Sequence, residues 1–440
     1  GSPHKHDTFE AHGEPLGVEE VRLTKRALGW PEDKSFYIPD EALAQFRRSV
    51  EKGRDLEAQW HRRVDDLRAT DLQLADKLRQ TLAGELPKGW EAALPRFTPT
   101  DGAMATRDAG QKTILALAEV IPNLVGGSGD LDPSTRTALK GQGDFQSPNF
   151  TPPEGAPPTQ GLVGGQTGYV GRNIHFGIRE HAMAGIATGM ALHGGVLPFA
   201  ATFFTFSDYM RPSIRLAALS KAHVIYVWTH DSIGLGEDGP THQPVEQLAS
   251  LRAMPDLMLL RPADANETVE AWKIAVAHSE GPVGLVLTRQ KLPTLDRSTL
   301  APAAGTAKGA YVLADSAAGP PKLILIATGS ELSIALEAHN QLTREGVASR
   351  VVSMPCWDLF QAQPRSYKDT VLPPAVKARV SVEAGSPLGW ERYVGLEGAI
   401  IGLDRFGASA PGEIVMRELG FTAEHIVKVA KSILAGNRSG

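Results

Sequence analysis

With 440 residues the chain has room for two or three domains and large apolar cores, and its single cysteine, Cys356, excludes an internal disulfide. A formal net charge of −5 with no long basic stripe argues against nucleic acid as a partner, and no apolar run approaches the length needed to span a membrane. The expectation is a cytoplasmic chain, in a reducing compartment that suits its cysteine usage.

Residues 1–17 carry His4, His6 and His12 in what reads as irregular loop, and no Cys or regular ligand spacing accompanies them to make a metal site. From about residue 18 to 95 the pattern is helical and heavily charged, over Val18–Leu28, Asp40–Leu67 and Leu72–Leu82, broken by Pro31, Pro39 and Pro87. A stretch of that kind reads as a solvated connector packed along a larger body.

Between residues 100 and 295 short apolar runs alternate with helix-like patterns, the signature of a doubly wound parallel sheet. Strands are expected at Asn123–Val125, Asn173–Phe176, Val196–Ala201, Val224–Trp228, Leu257–Leu260 and Val283–Leu287. Helices fall near 108–120, 181–193, 207–220, 244–253 and 265–278, the last opened by Asp264 with Glu267 three residues on, as in a capping box. The insertion from Gly141 to Gly171, rich in Pro, Gly, Gln and Thr, reads as a mobile surface loop.

Residues 296–320 read as a linker, and residues 321–440 as a smaller second α/β domain. Its strands are expected at Leu323–Ile326, Ser349–Ser353, Val380–Val382 and Ala399–Leu403, with helices at 331–345 and from Thr422. The turn Ala327-Thr-Gly-Ser330 precedes a helix, and reads either as a tight strand-to-helix turn or as a cradle for an anion.

One run stands out. Thr229 to Glu246 comes after an apolar strand and leads into a helix opening at Pro244; it holds His230, His242, Asp231, Asp238 and three glycines. Loops beyond the carboxyl ends of strands are where open α/β sheets bind ligands, and the glycines permit close backbone approach. Arg107, Ser134 and Arg289 fall on the same rim if the strands are as expected, and two guanidinium groups with a hydroxyl suit a phosphate. Glu180, at the start of an apolar helix, is either an N-terminal acid favoured by the helix dipole or a carboxylate of raised pKa that shares a proton with a ligand nitrogen.

Four segments together resemble transketolase: His175-Phe-Gly-Ile-Arg-Glu180-His-Ala-Met183, Phe203-Phe-Thr-Phe206-Ser-Asp-Tyr209, the Thr229–Glu246 run, and Leu287-Thr-Arg289-Gln290. The resemblance extends to His12-Gly-Glu-Pro-Leu-Gly17 and to residues 321–440, so it covers nearly the whole chain. It implies a pyrimidine-binding domain in which Glu180 hydrogen-bonds the aminopyrimidine of thiamine diphosphate, Phe203, Phe206 and Tyr209 enclose that ring, and Asp130 supports the cofactor from a subunit interface. It further implies that His12 and His242 assist proton transfers, and that Asp238 reads a hydroxyl of the acceptor sugar. Arg107, Ser134, His230 and Arg289 would hold the sugar phosphate of a homodimeric enzyme that moves a two-carbon ketol unit from a ketose phosphate to an aldose phosphate.

The family's Gly-Asp-Gly diphosphate motif, which with a later Asn holds Mg²⁺ or Ca²⁺, does not occur: Gly236-Glu-Asp-Gly239 has the wrong order and Gly143-Asp-Phe145 lacks the second Gly. The expectation is therefore a chain without the N-terminal diphosphate-binding domain and without metal ligands, residues 1–99 being a loop and connector from its end. Two alternatives stand beside it: a catalytically incompetent, dimerising fragment, and a related thiamine enzyme such as deoxyxylulose-phosphate synthase.

Overall fold

The computed structural model describes residues 1–150 and 163–436. Two compact units are distinguished, Gly1–Leu78 and Arg79–Gly440. The central part of the expected surface insertion, residues 151–162, and the last four residues lie outside the described residues.

The first unit is helical, as its charge-laced pattern predicts: α1 (Val18–Ala27), α2 (Asp40–Thr70) and the start of α3 (Leu72–Leu82). Its opening loop is fastened rather than loose. Glu20 of α1 accepts from the Ser2 hydroxyl and from the His4 backbone N–H at 2.9 Å, and its second oxygen lies 2.9 Å from His4 Nδ1. Those hydrogen bonds hold the Glu20 carboxyl down to about 2. His6 turns its ring to the Ser2 carbonyl, so two of the three early histidines serve local structure. None of the 31 residues of α2 is buried.

In the second unit the first sheet is built from β1 (Leu124–Ser128), β2 (Leu197–Phe203), β3 (Ile225–Thr229), β4 (Met258–Leu260) and β5 (Val283–Leu287). The order is β1-β2-β3-β5-β4 and every pairing is parallel, the doubly wound arrangement expected. Side chains alternate across it with period two. Ile225 and Val227 face a core shared with α4 (Thr106–Val120) and α8 (Ala265–Ala277), whereas Tyr226 and Trp228 face α5 (Glu180–His193) and α6 (Ser207–Leu219). The α8 start behaves as the Asp264–Glu267 spacing predicts, Asp264 accepting from the Glu267 N–H at 2.8 Å, although the Glu267 carboxylate reaches back to Ala263 N–H.

Three expectations need correction here. Asn173–Phe176 is not a strand: residues 172–176 run beside β1, joined to it by the isolated Gly126–Asn173 bridge and by the Phe176 N–H to the Ser128 carbonyl, because the backbone is shared with the insertion, the Asn173 N–H donating to the Gly143 carbonyl and the Asn173 carbonyl accepting from the Phe145 N–H. The described arms of the Gly141–Gly171 insertion are bridged to each other and to that edge, at Phe145–Gly168 and Asp144–Asn173, so they are paired backbone rather than a free surface loop. The helix expected from Pro244 begins only at Gln247, as α7 (Gln247–Arg252), since the Val245 carbonyl is taken by the Ser386 N–H and not by a helical donor.

The second sheet has β6 (Tyr311–Asp315), β7 (Leu323–Ala327), β8 (Ser349–Ser353), β9 (Arg379–Val382) and β10 (Ala399–Ile401), in the order β10-β9-β7-β8-β6. Only β6 runs antiparallel, along the edge of β8. It lies inside the expected linker, where its five residues of mixed burial between Gly- and Pro-rich flanks carry no lasting pattern. Leu323, Leu325 and Ala327 pack against α9 (Glu331–Arg344) and α10 (Ala423–Leu434), and Ile324 and Ile326 against Phe360, Trp390 and Tyr393. Cys356 is fully buried in the core beneath the first sheet, and desolvation pushes its thiol up to about 12.

Gly127 illustrates how tightly β1 is covered, since a Cβ there would sit 1.9 Å from the Ile174 carbonyl oxygen, whereas one at Gly53 in α2 would meet nothing within 4 Å. Gly127→Ala is expected to cost about 1–3 kcal/mol through forced displacement of residues 172–176, and Gly53→Ala to gain a few tenths to about 1 kcal/mol. Urea denaturation of the two variants checks both signs.

Candidate functional site

The parallel registers bring Ser128, Phe203, Thr229 and Leu287 to one edge of the first sheet, and the loops that leave these strand ends build the site. After β2 the chain turns through Phe204–Phe206 into α6, which brings three rings together: Phe203 and Phe206 stack at 5.6 Å between centroids, and Phe206 and Tyr209 lie 5.9 Å apart. After β3, His230 takes a left-handed backbone at φ +63° and lays its ring against Phe203, centroids 3.8 Å apart. His242 closes the group edge-on to Phe206 at 5.4 Å. The result is an apolar wall of three aromatic side chains with two imidazoles along it.

Beside this wall stand the arginines. Arg107 opens α4 and is held at the edge by its own N–H to the Thr288 carbonyl, while its Nη1 donates to the Ser134 carbonyl at 2.9 Å. Ser134 is thus brought to Arg107 through its backbone. The Arg107 Nε is buried without a hydrogen-bond partner, and burial lowers the pKa of the guanidinium against the opposing pull of Asp108, with Arg136 and Arg289 adding like charge. Arg289 donates to the Leu235 carbonyl at 2.7 Å and lies 3.8 Å from Asp238, both half exposed. Burial, together with Arg107, Arg289 and His242, pushes the His230 imidazole down to about 3. Two guanidinium groups and an imidazole at one edge, with Asp238 beside Arg289 and Asp108 beside Arg136, are suited to an anion.

Glu180 is the first residue of α5 and is nearly buried; among the described residues its carboxylate has no hydrogen-bond or ion-pair partner. The loop after β1 approaches it, a Cβ at Gly129 falling 3.8 Å from Glu180 Oε1, and Asp130 comes next at φ +58°, exposed and lining a small cavity with Ser128 and His175. His12 belongs to the first unit, exposed on the single turn Glu10–Gly13. The second unit thus brings Phe203, Phe206, Tyr209, His230 and His242 together, and links Arg107 with Ser134 and Arg289 with Asp238.

Other residues matter that local patterns did not reveal. Gln243 donates to the carbonyls of Gly236 and Ala408, both at 2.9 Å, tying the Thr229–Glu246 loop to the second sheet's domain. Asp231 is fully buried against Arg261. The partners lie 165 and 30 residues away along the chain, beyond the reach of any spacing rule.

An open parallel sheet with aromatic rings, imidazoles and arginines on its carboxyl edge is the framework of an α/β protein suited to an aromatic ring and an anion side by side. Residues 102–294 match the family model for the transketolase pyrimidine-binding domain, residues 309–422 that for the transketolase-like C-terminal domain, and residues 1–87 that for the transketolase thiamine diphosphate-binding domain. A chloroplastic transketolase of Craterostigma plantagineum is 47% identical over 99% of this chain and 80% of its own length, and a transketolase of Geobacillus stearothermophilus is 49% identical over 99% of this chain. The solved transketolase of Leishmania mexicana superposes with a TM-score of 0.85 at 38% identity, covering 98% of this chain and 60% of its own.

The chain belongs to the transketolase family. It spans 62% of the length of the Geobacillus relative. The expectation that the diphosphate-binding domain is lacking is corrected, since residues 1–87 themselves match the model of that domain, and the expectation that the chain lacks the cofactor's diphosphate and metal ligands loses its ground with it.

The depressed His230 titration gives a pH test. The unfolded imidazole, near 6.5, takes up a proton that the folded one refuses until about 3, so stability falls as pH drops through that window. His230→Asn removes the difference, and thermal unfolding midpoints of wild type and variant are expected to converge as pH falls from 7 toward 4.

Proposed function

We propose that the protein transfers a two-carbon ketol unit from a ketose phosphate to an aldose phosphate with thiamine diphosphate. The observation that carries this reading is the aromatic wall of Phe203, Phe206 and Tyr209 with His230 and His242 along it, and the Arg107 and Arg289 guanidinium groups at the same sheet edge. The residues present fit the pyrimidine end of the cofactor: an apolar face for the ring, and in Glu180 a nearly buried carboxylate open to a ring nitrogen. When bound, the cofactor supplies the electron sink that allows a ketose carbon–carbon bond to break.

The chain's own residues divide the remaining work. Glu180 hydrogen-bonds the pyrimidine and holds its proton, the three aromatic rings exclude water from it, and His242 exchanges protons with substrate hydroxyls through its imidazole. Arg107, Arg289, His230 and Ser134 hold the phosphate, and Asp238, beside Arg289, reads a sugar hydroxyl. Mg²⁺ or Ca²⁺ accompanies the diphosphate, but no step is assigned to it: among the described residues no three His, Cys, Asp or Glu side chains are grouped to hold a metal.

The same reading makes the protein a homodimer. The outward surfaces of α5 and α6 expose Ile186, Leu192, Leu216 and Leu219, an apolar face of the kind that obligate interfaces cover. Light scattering at micromolar concentration is expected to give twice the mass of one chain, and a stable monomer would count against the interface.

Calorimetric titration with thiamine diphosphate tests the cofactor assignment, with binding expected for wild type and lost or severely weakened for Glu180→Gln. In steady-state ketol transfer, Arg289→Ala and Arg107→Ala should raise KM for phosphorylated sugars about ten- to a hundredfold, the loss of a charge-assisted contact, and leave unphosphorylated sugars nearly unaffected. Equal effects on the two substrate classes would remove the arginines from the phosphate site.

A further inference from the structure

The Ala327-Thr-Gly-Ser330 turn does not cradle an anion. It cradles a cation, the guanidinium of Arg261, which comes directly after β4 in the first sheet's domain. Arg261 Nη1 donates to the Thr328 carbonyl and, at 2.9 Å, to the Thr328 hydroxyl, and the glycine of the turn, at φ +53°, leaves room that a Cβ 2.5 Å from Arg261 Cζ would fill. Glu331, the first residue of α9, grips Nη1 and Nη2. On its other side Arg261 donates through Nε and Nη2 to Asp231 Oδ2, at 3.1 and 2.7 Å. Asp231, Arg261 and Glu331 are all at least 99% buried.

Asp231 is the residue after His230, whose left-handed backbone is unusual for a residue with a side chain and persists only where its surroundings enforce it. The far end of the loop is gripped by the same domain: the Ser386 N–H donates to the Val245 carbonyl, and Arg252 at the end of α7 pairs with Glu383 through two 2.7 Å bonds. Glu383 in turn accepts from the Thr328 hydroxyl at 2.7 Å. The two grips therefore meet at one hydroxyl of the turn.

We infer that Glu331 and Thr328 of the C-terminal domain are positioning residues for the ligand loop, setting the backbone of His230 through Arg261 and Asp231. The C-terminal domain then acts on the phosphate and proton-transfer groups without touching the ligand, and the inference rests on the proposed function only for what that ligand is.

Glu331→Gln keeps the side chain's volume and removes its charge. Hydrogen–deuterium exchange of the full chain, read by peptide, is expected to show the amides of residues 230–243 exchanging roughly tenfold faster, with β7 and β8 protected as before. Unchanged loop exchange, or loss confined to the C-terminal sheet, would make Arg261 a structural pin only and overturn the inference. Thr328→Val, which keeps every charge, decides the matter if Glu331→Gln does not fold: faster loop exchange sustains the inference, and none overturns it. Exchange is read without substrate, so its outcome is separate from the ketol-transfer reading. Inorganic phosphate binding by calorimetry on the same samples addresses that reading: a wild type that binds no phosphate counts against the phosphate site, and the exchange result stands on its own.

Discussion

A guanidinium sealed from water is tenable only when every face of its fork meets an acceptor, because the uncompensated charge would cost several kcal/mol. Arg261 meets that condition by drawing one carboxylate from each domain, Asp231 from the loop after β3 and Glu331 from the start of α9. Neither domain alone can satisfy it. The Thr229–Glu246 loop, the edge of the first sheet and the turn of the second are consequently one polar assembly, and the relative placement of the two sheets within the second unit is fixed by charge as well as by apolar packing.

The carboxyl edge of the first sheet results from its uniform polarity. The strands share one direction, so the residues just past the carboxyl ends of four of them lie along one edge: Asp130 past β1, Phe206 past β2, His230 past β3, Arg289 past β5. Each is carried by an element whose core face is set by ordinary alternation, as with Tyr226 and Trp228 against Ile225 and Val227. Apolar packing thereby gathers polar groups at one edge, and burial, with the like charges beside it, leaves His230 unable to hold a proton near neutral pH.

Much of this was legible in the chain. The helices of the first unit and the parallel strands were legible from periodicity, because amphipathic faces are local properties, and Val283–Leu287 and Ser349–Ser353 fall where the apolar runs put them. The clustering of Phe203, Phe206, Tyr209, His230 and His242 was legible where residues share one run, as in Thr229–Glu246, and through resemblance elsewhere. What escaped depended on distant partners. Tyr311–Asp315 becomes a strand only because β8 offers it an edge, and the segment around Asn173 makes one bridge to β1 and no ladder because its backbone is shared between β1 and the insertion. Arg261 and Glu331, 70 residues apart, carry no signal at all until the fold closes around them.

The lone thiol gains a meaning from where it lies. Cys356 comes from the segment after β8, yet its side chain is buried in the core beneath the first sheet and its N–H is held by the Gly309 carbonyl. Protonated and enclosed, it is inert toward alkylating reagents for as long as the two sheets stay together, so the rate at which it becomes reactive is a clock for their separation.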